Sequence, residues 1–181
     1  MKGIVFNLLQ ESVSRQYGES TWDALLDAAG LDGAYTALGT YDDGEALKLV
    51  GAASSALQSS PDDVLRWFGR SAMPLLATSY PQFFEPHEST RSFLLTLNQI
   101  IHPEVRKLYP GADVPTFEFD TSDEQGLTIG YMSARKFCSF AEGLIEGAAE
   151  HFGEKVSIAQ PGCMLRGDDK CLIVCSFAPA A

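Results

Sequence analysis

Positive charge is scarce in this sequence. Thirteen lysines and arginines stand against 24 aspartates and glutamates, for a net charge of −11 at pH 7 and an isoelectric point near 4.6. Nonspecific binding to nucleic acid or to an anionic membrane needs a basic patch, so both are excluded as general partners. Basic proteins remain suitable ones. Long apolar runs are missing too, and no stretch approaches the ~18 residues of a membrane span. The opening MKGIVFNLLQ carries a lysine, but its apolar run stops at Gln10 and Glu11 and no small-residue cleavage site follows. A cytoplasmic location is expected. Cysteine is confined to positions 138, 163, 171 and 175. In that compartment these are expected as thiols or metal ligands rather than structural disulfides.

Signatures of common enzyme chemistry are also absent. There is no serine–histidine–aspartate order, no H-E-x-x-H and no glycine-rich phosphate loop, so a catalytic role is not expected. Neither an internal repeat nor a low-complexity tract interrupts the chain. What the 181 residues do have is a 45% hydrophobic content, ample for the buried interior of a single domain over 1–181.

The first ~110 residues carry helical periodicity. Ile4, Val5, Leu8 and Leu9 form one stripe, ended by Gly18. Ser20 is a cap for a second helix with Trp22, Leu25, Leu26 and Ala29, stopped by Gly30. Asp42 or Asp43 opens a third, running through Leu47, Val50 and Leu57. In SSPDD, Ser60 is the cap and Pro61 the first helical residue, followed by acids in the first turn; Pro74 is expected to kink or shorten that helix. YPQFFEP (80–86) is linker-like. Ser89 caps a helix through Phe93, Leu94, Leu97 and Ile101, and Pro103 places His102 at a bend or between two helical pieces. After Pro110 the pattern alternates: PTFEFDT, a DEQG turn and LTIGYMSAR form a hairpin. Helical period returns from Phe137 to Phe152 and ends at Gly153. KVSIAQ and KCLIVCSF are two further strands around a loop containing RGDD. The reading is α+β: a helical part over about 1–110, then an antiparallel sheet carrying one helix over about 111–181.

Only three histidines occur, at 87, 102 and 151. His87 and His151 are expected to be exposed and receive no role. A lone histidine such as His102 on an apolar helix is ordinarily a satisfied core residue, so a second feature has to lift it above that. YMSAR (131–135) does so. On a strand, Tyr131, Ser133 and Arg135 project from one face about 6.6 Å apart. They present a phenol, a hydroxyl and a guanidinium, a donor row suited to carboxylates, with Arg135 able to bind one bidentately. The plain alternative is a polar solvent face. Apolar flanks and a candidate metal ligand at His102 favour instead a group with a metal centre, a broad apolar body and two carboxylates. Haem is such a group.

With Y-x-S-x-R about 30 residues after the histidine of IHPEVRKLYPGA, and with the start MKGIVFNLL, the chain resembles the haem–nitric oxide/oxygen binding (H-NOX) family. The resemblance extends over GESTWDALLDAAGL and AEGLIEGAAEHF, essentially the whole length. It implies a haem b enclosed between the helical and sheet parts. His102 would be the axial ligand to iron, Tyr131, Ser133 and Arg135 would hold the propionates, and Pro115 would press on the porphyrin. The first helix would cover the distal side, with Val5 and Leu9 near the gas site. Family members that bind oxygen supply a tyrosine donor from the helix after Y-x-S-x-R; here Phe140 stands there, and Ala72 adds to an apolar pocket. The implication is nitric oxide and carbon monoxide binding at ferrous haem without a stable oxygen complex. Nitric oxide would loosen or break the iron–His102 bond, letting the helical part pivot on the sheet. The partner expected is a separate signalling protein such as a histidine kinase or a cyclic-di-GMP enzyme.

Some family members carry zinc on cysteines and one histidine beside the sheet. Cys138, Cys163 and Cys171 fall on those cysteine positions, with Gln160 where the histidine is expected. Two readings stay open for them: zinc on three thiolates, or buried or redox-active thiols. For the chain as a whole the alternatives are an oxygen or redox sensor, through haem, thiols or zinc, and a haem-free module that binds an apolar ligand or a partner protein. A Soret band separates the last from the others.

Overall fold

The computed structural model describes residues 1–124 and 126–180. Four helices come first: α1 (Gly3–Tyr17), α2 (Glu19–Ala29), α3 (Asp43–Leu57) and α4 (Pro61–Ser79). A 3-10 turn at Pro81–Phe83 leads to the short α5 (Thr90–Leu94), a π-helical turn at Leu97–Ile101 and α6 (His102–Leu108). Strands β1 (Thr116–Asp120) and β2 (Gly126–Met132), helix α7 (Cys138–His151), and strands β3 (Glu154–Gly162) and β4 (Cys171–Pro179) complete the order. The fold is α+β, as expected.

Most helix ends lie where the capping residues put them. Asp42 accepts from Gly44 N at 2.7 Å and Ser60 from Asp63 N at 3.1 Å, satisfying amides that an α-helix leaves unpaired at its start. Gly30 closes α2 in the left-handed region at φ 66°. The expected Ser20 cap is corrected: Gly18, at φ 92°, occupies the N-cap and Ser20 lies inside the first turn. Pro74 does not shorten α4. The carbonyl deprived of its partner is that of Arg70, and it points at α7, 2.8 Å from where a Cβ on Gly147 would stand.

The sheet has the order β1-β2-β4-β3 with every pairing antiparallel. Of the expected DEQG turn, Gln125 lies outside the described residues. Tyr131 on β2 is in register with Phe117 of β1 on one side and Cys171 of β4 on the other. One core cluster lies between the sheet, α7 and the 84–94 segment. A second joins α1, α2, α3 and α4. Two large residues join these cores from unexpected places. Phe6, between the stripe residues of α1, is buried, and Phe84 of the linker-like stretch is buried against Phe93 with ring centroids 4.6 Å apart.

The two parts are joined where α4 crosses α7. At Gly69 a Cβ would stand 2.2 Å from the Phe140 carbonyl oxygen, and at Gly143 it would stand 2.0 Å from that of Arg66. Only glycine permits backbones this close. Around the seam, Arg66 binds Glu142 at 3.0 Å and Glu146 at 2.6 Å, and Arg70 pairs with Glu150.

Candidate functional site

His102 is the first residue of α6 and follows the π-helical turn directly. Ile101 N and His102 N reach back five residues, to Thr96 O and Leu97 O. The wider turn accommodates the chain ahead of Pro103, which has no N–H and crowds the preceding turn. His102 thus sits at the junction of the π turn and α6, inside helical backbone at φ −65°, where Pro103 led one to expect a bend or a gap between pieces. Its ring stacks on Phe117 with centroids 5.4 Å apart, and Phe117 in turn packs on Tyr131 at 5.8 Å. Burial, with the nearby Arg106 guanidinium adding to it, pushes the imidazole down to about 4. At pH 7 it is neutral and keeps a nitrogen lone pair, the form that ligates a metal.

The Y-x-S-x-R row is corrected in its geometry. β2 ends at Met132, and Ser133 to Lys136 form a turn closed by Lys136 N donating to Ser133 O at 3.1 Å. Lys136 takes φ 54° there. The three residues are still brought together, though by the turn and not by strand alternation. Ser133 lies against the Tyr131 phenol and accepts from Arg135 N at 3.3 Å. Burial raises the Tyr131 pKa, so the phenol keeps its proton and stays a donor. Arg135 Nη1 donates to Asp113 O at 2.8 Å. The guanidinium pairs with Asp43 at 2.9 Å and Asp113 at 3.3 Å. Asp43 also receives the N-terminal ammonium at 2.6 Å. Burial works to raise the Asp43 pKa, but these two cations outweigh it and hold the carboxyl below its ordinary value.

A haem propionate fits this corner. Arg135 is mostly buried, and its Nε lies 2.9 Å from Asp43 in an ion pair without completing a hydrogen bond. A buried guanidinium of this kind, already holding two carboxylates, has the chemistry to bind another. Pro115 immediately precedes β1, which carries Phe117 under His102. On the other side, Phe140 stacks on Phe68 at 4.7 Å. Val5, Leu9, Ala72 and Phe140 all belong to the second core cluster.

Sequence reasoning missed Phe117, Asp43 and Asp113. Alternation along β1 places Phe117 on one face with Phe119, a signal that was available. Asp43 meets Arg135 from 92 positions away, and nothing local marks that pairing. His87 is half-buried rather than exposed, with Nδ1 2.7 Å from Ser92 Oγ. His151 is exposed and lies edge-on to Phe84 and Phe152.

The sheet brings three of the four cysteines together. Cys163 Sγ lies 3.7 Å from both Cys138 Sγ and Cys171 Sγ, and all three thiols lie within 4.8 Å of one another. Zinc–sulfur bonds of about 2.3 Å in a tetrahedron place sulfurs about 3.8 Å apart, and the two Cys163 separations match that spacing. Burial raises Cys138, and takes Cys171 up to about 12. Burial also opposes ionisation of Cys163, but backbone N–H groups and the two neighbouring thiols outweigh it and hold this thiol down. Cys175 stays outside the cluster, pushed up to about 12 by burial and by Glu142.

Among the described residues no helix is long and apolar enough to cross a membrane. The family model described as "Haem-NO-binding" matches residues 2–160. The H-NOX protein of S. oneidensis, solved in its Fe(II)NO ligation state, is 31% identical and superposes with TM-score 0.92 over 98% of this chain and 99% of that one. The Fe(II) unliganded H-NOX protein from K. algicida is 29% identical, with TM-score 0.87 over 98% and 97% of the two chains. A curated relative, the soluble guanylate cyclase gcy-31 of Caenorhabditis elegans, is 21% identical over 164 residues. These make up 83% of this chain and 22% of the cyclase, so the chain spans about a fifth of that relative.

Proposed function

The chain belongs to the haem-NO-binding family, whose members share a haem-based gas-sensing fold, and on that premise we propose that it binds haem b and senses nitric oxide, with carbon monoxide as a second ligand. The observation that carries this reading is His102, a neutral imidazole at the start of α6, lying along the Phe117–Tyr131 stack. When bound, haem would supply an iron centre that takes a diatomic gas and would need an imidazole from the protein to hold it. His102 provides that imidazole. Tyr131 and Ser133 donate hydroxyls to the propionates, and the Arg135 guanidinium adds a charged donor. Pro115 presses on the ring from the strand entry. Val5, Leu9, Ala72 and Phe140 face the gas, and none carries a side-chain donor. Dioxygen needs such a donor because charge builds on its outer atom, and nitric oxide does not, so no stable oxygen complex forms.

Release of His102 frees the start of α6, and the helical part turns on the sheet part about the α4–α7 seam. The ligand thereby biases a two-state element. A separate cytoplasmic signalling protein, such as a histidine kinase or a cyclic-di-GMP enzyme, reads the change, and the domain acts as a sensor with no catalysis of its own. The test is the absorption spectrum of the purified ferrous protein under argon, nitric oxide, carbon monoxide and air. A Soret band that shifts with the first two gases and shows no stable oxygenated form supports the reading. A persistent oxygenated spectrum contradicts the selectivity, and a colourless protein contradicts the haem.

The cysteine cluster supports a second role beside the first: zinc held by Cys138, Cys163 and Cys171, on the strength of their 3.7 Å spacing. Metal analysis of protein prepared without chelator tests it. One zinc per chain is expected, and a metal-free cluster would leave reduced thiols as the reading.

A further inference from the structure

We propose that Phe117 is the positioning residue for His102: its ring fixes the plane of the imidazole, and through that plane the bond the imidazole makes to iron. The inference rests on the haem reading above and gives a role to a residue which that reading leaves without one.

A histidine that ligates a metal is ordinarily oriented by a hydrogen bond to its other ring nitrogen. His102 is oriented differently. Among the described residues no hydrogen bond reaches either of its ring nitrogens. Its aromatic contact is Phe117, tilted by 25° with centroids 5.4 Å apart, inside the range of about 4.5–7 Å over which aromatic rings attract. Stacking occupies the face of an imidazole, whereas its acceptor lone pair lies in the ring plane. The contact therefore holds the ring and leaves its ligating edge free.

Phe117 is itself anchored in the sheet. It is in register with Tyr131 of β2, whose ring lies 5.8 Å away, and it stacks on Phe119 of its own strand at 6.0 Å. Its carbonyl oxygen accepts from Asn98 Nδ2 at 2.8 Å, and Asn98 belongs to the π-helical turn that leads into His102. One β1 residue thus braces the approach to His102 with its backbone and the imidazole with its ring. β1 is paired to β2 along its whole length, while the chain on either side of His102 is a five-residue turn and a seven-residue helix. The imidazole takes its orientation from the sheet rather than from its own short helix. The Tyr131 ring on the far side of Phe117 ties that orientation to the Y-x-S-x-R corner.

The experiment uses the haem-loaded ferrous protein under argon. Resonance Raman reads the iron–histidine stretching band, and transfer of haem to a scavenger protein reads retention. Phe117→Leu removes the ring and keeps apolar bulk. Its band is expected to shift and broaden, and its haem to leave about fivefold faster, the equivalent of about 1 kcal/mol for one aromatic pair. Phe117→Met, another ringless side chain of similar bulk, gives the same readouts where Phe117→Leu does not fold. Phe117→Tyr returns the ring and is expected to restore both. Phe119→Leu is the control: its ring stacks on Phe117 and not on His102, so band and retention are expected to stay as in the wild type. An unchanged band in the ringless Phe117 variants, or an equal change in Phe119→Leu, overturns the positioning role and leaves the haem reading in place. A wild type with no iron–histidine band removes the His102 assignment, and the proposal with it.

Discussion

The two residues assigned to opposite sides of the haem stand in opposite kinds of structure. Phe140 lies on the α4–α7 seam. There Gly69 and Gly143 let two backbones meet with no room for a methyl group, and Arg66 ties the helices through two carboxylates. His102 lies on a segment assembled from short pieces: a five-residue π turn, then a seven-residue helix. Ile100 and Leu108 of that segment are about half exposed. Its end is held by a hydroxyl pair, Tyr80 with Tyr109, and its middle by Asn98 donating to Phe117 O at 2.8 Å. A switch needs a fixed reference and an element of low local stability. The seam is the first and the 97–108 segment the second, so on the proposed reading His102 would be displaced before Phe140.

The largest expected effect breaks the movable side outright. His102→Gly removes the imidazole proposed to hold the iron, and the purified protein is expected to lose its haem, or to keep it only when imidazole is added to the culture and buffer. Retention of a normal ferrous spectrum without imidazole would end the assignment. Next comes the fixed side. Gly143→Ala puts a methyl group 2.0 Å from the Arg66 carbonyl oxygen, and overpacking of this kind costs about 3 kcal/mol, or about 10 °C in Tm. Gly51→Ala, on an exposed helix face with nothing within 4 Å, is the control and is expected to stabilise by about 0.5–1 kcal/mol. Equal losses in the two variants would show that the seam is not tight. Phe140→Tyr adds a donor on the fixed side and is expected to raise oxygen affinity about tenfold, measured by oxygen titration of the ferrous protein.

The smallest expected change separates the two regions most cleanly. Tyr109→Phe deletes one hydroxyl of the pair that pins the end of α6, a loss of about 1 kcal/mol. Hydrogen exchange should speed about fivefold within 97–108 and stay unchanged along α4 and α7. A uniform acceleration would mean that the segment has no independent stability.

Much of this contrast was readable in the chain, and the unreadable part has a physical cause. Caps at Asp42 and Ser60, the stop at Gly30 and the break at Pro103 are local signals, and they located α3, α4, the end of α2 and the start of α6. Gly69 and Gly143 were silent, because their meaning lies in a helix far along the sequence. Asp43 was noticed as a helix start, yet its ion pair with Arg135 depends on the tertiary fold. The alternation of Tyr131, Ser133 and Arg135 suggested a strand face. A turn at Ser133–Lys136 produces the same gathering of side chains, and spacing alone does not separate the two. Phe84 hid in a proline-flanked stretch whose composition reads as linker, although its ring packs against Phe93.

The central claim is that His102 holds the haem iron and lets go when nitric oxide binds. Electron paramagnetic resonance of the ferrous nitrosyl protein, prepared with and without 15N-histidine, tests this most directly. Splitting from the nitrosyl nitrogen alone, identical in the two preparations, is the predicted result. A further splitting that changes with the histidine isotope would show the imidazole still bound and would contradict the account.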